Sequence, residues 1–306
     1  MKKKLIILTV VFLVFHVIFL RVYDKLLHKN GYVVTAVDTY RDIKKPLRFL
    51  FLGDSHIERG VDLSKIPDSY SIAYFGENNM MSYFKFKYCL EQGYRKPEYL
   101  VIDSDMMTYT KAFNKFIRHK GYYYSLMSFS DLRDIDSNVL ATYYDYFKLT
   151  LFPYAEWQIV RMQPAKKREE KIYATPGEKA YHASIFVQKE LLPGGKKEDF
   201  FYQPALGFLE KMIALCKENN IKLIYVRFPL TRQLLDEVEC HVDSSFVRDL
   251  PAEDIIKSHH LPILNYERLL QNRSELFHDC HHLNDAGKAV FTKELKKGLD
   301  SLTNVY

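Results

Sequence analysis

Leu47-Arg48-Phe49-Leu50-Phe51-Leu52-Gly53-Asp54-Ser55-His56 is the stretch around which the 306-residue chain is organised. Residues 47–52 form a short apolar, aromatic run with Pro46 just before it. Such a run between turn residues suits a strand covered on both faces. Gly53 permits a sharp exit that a side chain would block. Asp54-Ser55 is what a helix N-terminus favours, because free N–H groups there attract oxygen and developing negative charge. Two readings fit this stretch alone. One is a plain strand-to-helix turn with Asp54 or Ser55 as its cap. The other is a turn that presents Ser55 as a nucleophile to a base supplied elsewhere.

The same rhythm continues outward. Residues 71–75 read as a second strand ending at Gly76, and residues 80–92 as a helix closed by Gly93. Residues 99–102 read as a third buried strand ending at Asp103-Ser104-Asp105. Strands separated by helix-length segments imply βαβ units and a parallel sheet. The pattern lapses over about residues 106–203, which hold Tyr122-Tyr123-Tyr124, Tyr143-Tyr144-Asp145-Tyr146, Trp157 and the charged run Lys166-Lys167-Arg168-Glu169-Glu170-Lys171. This span reads as an insertion of helix and loop at the strand ends, where ligands bind in open α/β sheets. The rhythm returns with a helix over 204–219, a fourth strand over 221–226, an irregular stretch over 230–260, a short fifth strand over 261–266 and a last helix to about residue 302.

Met1-Lys2-Lys3-Lys4 precedes an apolar run over residues 5–20, interrupted by Thr9 and His16 and closed by Arg21. Basic then apolar is the order of a signal sequence or signal anchor. No small-x-small cleavage site follows, so the reading is an uncleaved single-pass anchor over residues 1–22, with a cleaved signal peptide as the alternative. The N-terminus then lies in the cytoplasm and the rest outside it, on the periplasmic or cell-surface side. Residues 23–45 read as a stalk and residues 46–306 as one domain.

Composition narrows the classes. A chain 47% hydrophobic and 27% charged is globular, not disordered. A net charge of +6, with Lys and Arg dispersed among Asp and Glu, does not call for nucleic acid. The 23 Tyr against 1 Trp suit a sugar-facing or membrane-proximal surface, or reflect a compositional bias. Cys89, Cys216, Cys240 and Cys280 show no Cys-x-x-Cys pairing, which excludes a zinc ribbon or thioredoxin motif.

A serine nucleophile needs a base within hydrogen-bond reach and a third group to orient that base. Asp279 and His282 stand three apart in a loop before the last helix, a spacing that lets the carboxylate hold one imidazole nitrogen while the other faces outward. Asn284-Asp285 offers an N-cap for that helix, and Gly287 allows close packing against the sheet. His278, Asp279, Cys280, His281 and His282 are all metal-ligand types, but adjacent residues rarely converge on one ion. No metal and no cofactor is called for. Cys280 reads as a buried free thiol or as a disulfide partner of Cys240.

With these residues in place, the chain resembles the SGNH (GDSL-like) hydrolase superfamily. Gly53-Asp54-Ser55 matches its first block and Asp279-Cys280-His281-His282 its last, Asp-x-x-His. The resemblance covers about residues 46–103 and 204–302. It implies a flavodoxin-like three-layer α/β/α sandwich, with Ser55 as nucleophile, His282 as base and Asp279 as its orienting partner. It also places Gly76 at the second block, where a backbone N–H joins that of Ser55 in the oxyanion hole. The third block departs from the family: Asp103-Ser104-Asp105 stands where Gly-x-Asn-Asp is usual, so the oxyanion asparagine is missing. Asn78 is either its substitute or a helix cap. With the N-terminal anchor, this resembles the envelope acyl-transfer members of the alginate O-acetyltransferase and teichoic acid D-alanyl-transfer types. The resemblance implies an extracytoplasmic serine acyltransferase or esterase acting on O-acyl groups of an envelope polysaccharide. Its partners would be an acyl donor, a glycan acceptor and a membrane-bound O-acyltransferase. The alternative is a catalytically weak or inactive module that binds glycan or scaffolds such an acyltransferase.

Overall fold

The computed structural model describes residues 2–23, 32–114, 120–135, 138–151, 173–192, 202–241 and 251–305. Trp157 and the charged run 166–171 lie outside them. Two compact units divide the chain: Ile43–Arg118 with Glu170–Tyr306, and Met1–Asp42 with His119–Glu169.

The first unit carries the sheet. Its strands are β1 Phe49–Leu52, β2 Ser69–Ser71, β3 Tyr99–Asp103, β4 Lys222–Arg227 and β5 Ile263–Asn265. All pairs are parallel, in the order β2-β1-β3-β4-β5. This is the flavodoxin-like order, in which the direction of winding reverses between β1 and β3 and leaves a crevice at their C-terminal ends. Every residue of β1 and β3 is buried, so neither strand needs a polar face. Phe49, Phe51, Tyr99, Val101, Ile224 and Val226 share one core with Phe291, Leu295 and Leu299 of the last helix, Asp285–Val305. Strand alternation turns Leu50, Leu52, Leu100 and Tyr225 to the other side. That side is covered by the helices Asn79–Glu91 and Gln203–Glu218, whose Phe84 and Phe208 rings meet at 5.5 Å. In Gln203–Glu218 the buried Leu206, Leu209, Ile213 and Cys216 recur at helical spacing. The result is a three-layer α/β/α sandwich.

Several expected elements shift. The second strand is Ser69–Ser71, earlier than residues 71–75, because pairing with β1 starts where Asp68 O accepts the Arg48 and Phe49 amides at 2.8 and 3.1 Å. Beyond it, Ile72 N donates to Phe51 O at 3.0 Å and Tyr74 N to Gly53 O at 2.9 Å, so the chain follows β1 without a regular ladder. The stretch 230–260 holds the helices Arg232–His241 and Pro251–Ser258. Leu234, Leu235 and Val238 of the first are buried at helical spacing. Gly287 packs tightly, but against the Leu276 carbonyl and not the sheet: a Cβ there would overlap that oxygen. Cys240 and Cys280 are both free, Cys240 exposed and Cys280 buried, so the disulfide alternative is not realised.

The second unit includes the helices Lys2–Tyr23, Tyr32–Arg41, Lys120–Ser125 and Val139–Leu151. Residues 32–41 of the segment read as a stalk are thus helical. Apolar side chains along Lys2–Tyr23, such as Leu5, Phe12 and Phe15, are exposed. Lys2, Lys3 and Lys4 fill its first turn, and among the described residues no helix is long and apolar enough to cross a membrane. Of the expected insertion, His119–Glu169 belongs to this second unit and the remainder to the sheet-bearing one.

Candidate active site

The turn after β1 is built around Gly53 and Asp54. Gly53 has φ +149°, and a Cβ on it would overlap the Asp103 carboxylate at the end of β3. Two parallel strand ends therefore approach here as only glycine permits. Asp54 caps the helix Ser55–Gly60: its Oδ1 accepts His56 N–H at 2.8 Å. Since Asp54 serves as the cap, the Ser55 side chain is left for another partner.

That partner is His282. Ser55 Oγ lies 2.9 Å from His282 Nε2, and His282 Nδ1 lies 2.8 Å from Asp279 Oδ2. Asp279 Oδ1 also accepts the backbone N–H groups of His281 at 2.9 Å and His282 at 2.7 Å. One carboxylate thus shapes the loop and orients the ring. Burial alone would raise the Asp279 carboxyl. The nearby His281, with the hydrogen bond and charge of His282, outweighs burial and holds Asp279 well below the usual carboxylate range. The loop is pinned by His278 N–H donating to His282 O at 2.8 Å and by Asn284 N–H donating to Leu276 O at 3.0 Å. Asn284 Oδ1 accepts Gly287 N–H at 3.0 Å, at the start of the last helix.

Gly76 and Asn78 sit in the loop that follows β2. Gly76 has φ +72° in a turn closed by Glu77 N–H to Tyr74 O at 3.1 Å. Asn78 caps the helix Asn79–Glu91, its Oδ1 accepting Met81 N–H at 3.0 Å. Its Nδ2 is buried and has no hydrogen-bond partner among the described residues. The two readings of Asn78 are therefore compatible: one end of the amide caps, and the other is an unused donor.

The segment Asp103-Ser104-Asp105 at the end of β3 holds no asparagine. Asp103 and Asp105 instead join Asp54 and His56 in a buried cluster. His56 Nδ1 is 3.0 Å from Asp54 Oδ1 and 3.5 Å from Asp105 Oδ2. Burial disfavours a charged ring at His56, but the charge and hydrogen bond of Asp54, with Asp105 and Asp103, raise it to about 10. Burial and the neighbouring Asp54 and Asp105 push Asp103 well above the carboxylate range. Burial carries Asp105 up to about 6 against the pull of His56. Asp105 Oδ1 meanwhile accepts Phe228 N–H at 2.9 Å, tying the end of β3 to the chain after β4.

Other residues at the site carry no motif. His281 packs its ring 4.0 Å from that of His282 and 4.4 Å from that of Phe186. Burial, then the neighbouring His282, lowers His281 well below the usual histidine value. Phe186 and His182 come from the helix Pro176–Phe186, in the later part of the span read as an insertion. The capping box at Thr175 and Glu178 was the local signal that could have located this helix.

Two donor sets have ligand atoms within 4.8 Å of one another: His182, Asp279, Cys280 and His281, and His56, His281 and His282. Several of their donors already have partners. Asp279 holds two amides and His282, Cys280 Sγ lies 3.3 Å from His281 Nδ1, and His56 Nδ1 faces Asp54. The first set also draws three ligands from consecutive residues, a poor fit to tetrahedral coordination. A separate apolar cavity of about 200 Å³ lies at the opposite, N-terminal ends of the strands, lined by Tyr99, Cys216, Lys222, Leu223 and Leu302 among others.

No family model matches the chain, and no curated protein does. Among solved structures it is similar to a "putative acylhydrolase" from Bacteroides fragilis, with 10% identity, a TM-score of 0.46, and coverage of 89% of this chain and 99% of that one. It is also similar to a "GDSL-like lipase" from Bacteroides thetaiotaomicron, with 12% identity, a TM-score of 0.43, and coverage of 89% and 96%. At these scores the likeness carries no weight for chemistry, and the names belong to those two proteins.

Proposed function

We propose that the chain is a serine-dependent acyltransferase or esterase acting on O-acyl groups, acetyl foremost, of a cell-envelope polysaccharide or glycoconjugate. The observation that carries this reading is the continuous line of contacts from Ser55 Oγ to His282 at 2.9 Å and from His282 to Asp279 at 2.8 Å. In this reading Ser55 Oγ attacks the acyl carbonyl while His282 Nε2 takes its proton. The oxyanion that forms is met by the N–H groups of Ser55 and Gly76 and by Asn78 Nδ2. Collapse expels the leaving alkoxide, which takes the proton from His282, and leaves an acyl-Ser55 ester. His282 then deprotonates a sugar hydroxyl or water, which attacks the ester and releases Ser55. The choice between them rests on how well water is excluded from the acyl-enzyme.

The basic-then-apolar N-terminus and its exposed apolar side chains support attachment to a membrane, with the domain outside the cytoplasm. That position would bring the site near a membrane-bound O-acyltransferase as acyl source. A second reading, an inactive module that binds glycan or scaffolds such an acyltransferase, is favoured by Asp103 and Asp105, which are engaged in the buried cluster where the resemblance calls for an asparagine donor.

Mixing with p-nitrophenyl acetate should give a burst of nitrophenolate stoichiometric with protein, and Ser55→Ala should give none. An equal burst from both proteins removes Ser55 from the reaction. No burst from either favours the inactive module.

A further inference from the structure

Outside the triad, one ionisable side chain from another part of the fold lies against the base. The His56 ring is stacked on that of His282, with centroids 5.4 Å apart and 23° between planes. His56 is 5% exposed. It is gripped from its Nδ1 side by Asp54, in the turn after β1, and by Asp105, after β3. Asp105 is itself anchored to Phe228 N–H. No hydrogen-bond partner among the described residues meets His56 Nε2, so the grip comes from the carboxylate side alone.

The titratable and charged neighbours come from four places. Asp54 precedes the helix Ser55–Gly60; Asp103 ends β3 and Asp105 follows it; Arg227, at the end of β4, acts on Asp105; His281 and His282 belong to the loop before the last helix. His282 is in turn faced by Ser55, Asp279, His281 and His56, with Asp54 acting through space.

Building on the serine-triad reading above, we propose that His56 is a positioning residue for His282. It fixes the plane of the base and, as a cation against the ring face, opposes the protonation that Asp279 favours. A like charge at this separation disfavours a second one, and the effect is largest where water is absent. His56 keeps its own charge through neutral and mildly acidic media, because its surroundings raise it to about 10.

The test uses the full chain, the substitution His56→Gln, and two readouts: the pH dependence of Ser55 phosphonylation by a fluorophosphonate, which releases fluoride, and the NMR titration of the His282 ring. The acid limb of the rate and the ring titration should both move up by about one to two pH units in His56→Gln. His56→Lys, which restores a cation, should return them towards the wild-type position. A rate that falls equally at every pH, with neither midpoint moved, overturns the proposal and leaves His56 a packing residue. If the variants do not fold, the wild-type NMR decides: His56 must remain charged at pH 7, and a neutral ring there overturns the proposal. A wild-type protein whose Ser55 is never phosphonylated, yet which shows the shifted His282 titration in His56→Gln, sinks the triad reading while the coupling stands.

Discussion

Asp54 and Ser55 divide the turn after β1 between them. Asp54 takes the capping hydrogen bond from His56 N–H, and the Ser55 hydroxyl faces His282. The turn closes tightly because Gly53 leaves room for the Asp103 carboxyl at the neighbouring strand end. Gly53→Ala combines a steric overlap with a positive φ that alanine resists. It should cost about 2–4 kcal/mol, read as a lower denaturation midpoint with an unchanged slope. Stability within 0.5 kcal/mol of the parent would refute that account of the turn. Ser55, Asp279 and His282 were legible in the sequence because each local signal is short: a strand end at glycine, and a carboxylate three residues before a histidine. His56 was not, because its task depends on Asp105 and His282, which only the folded sheet brings beside it.

Among the elements, the loop between β2 and the helix Asn79–Glu91 is held unusually firmly from inside. Lys85 is fully buried, and its ammonium bonds both the Ile72 carbonyl and Glu77. Glu77 in turn accepts Tyr74 N–H at 3.1 Å. Gly76 and Asn78 ride on this loop, so the ion pair sets where the proposed oxyanion donors stand. Burial pulls the Lys85 ammonium down from its usual value, against the attraction of Glu77. Removing one partner strands the other charge in the core. Lys85→Met should therefore cost about 3–5 kcal/mol, and the double variant Lys85→Met/Glu77→Gln clearly less. Equal losses in thermal melts of the single and double variants would show that the pair is not coupled. The strands of this layer were readable from apolar runs such as Tyr99-Leu100-Val101-Ile102. The helices Arg232–His241 and Pro251–Ser258 were missed because prolines and dense charge mask their narrow apolar stripes.

At the scale of the whole molecule, the buried ionisable groups near the site set a stability profile with pH. The Asp279 and Asp54 carboxyls are depressed, so the stability they contribute is present above the unfolded value of 3.8 and is lost as pH falls below it. Asp103, Asp105 and His56 are raised. The folded chain holds their protons longer than the unfolded chain does, and their contributions fade as pH climbs above 3.8 for the carboxyls and above 6.5 for His56, up to about 10. His281 is held low, so its contribution is present above 6.5 and is lost as pH falls below it, opposite to His56. The melting temperature should therefore fall as pH drops below about 4, where Asp279 and Asp54 take up protons, and decline towards pH 10 as His56 loses its own. A peak at alkaline pH would contradict these assignments. The parallel sheet and its order follow from alternating strand and helix signals. The division that joins Met1–Asp42 with His119–Glu169 does not, because such contacts between distant segments leave no local periodicity.

The central claim is that Ser55 is an activated nucleophile, and covalent labelling tests it most directly. Intact protein treated with a fluorophosphonate should gain one adduct, mapped by peptide mass spectrometry to Ser55. The adduct should be absent from Ser55→Ala and strongly reduced in His282→Asn. An adduct on another residue, or a folded protein left unlabelled, would contradict the account.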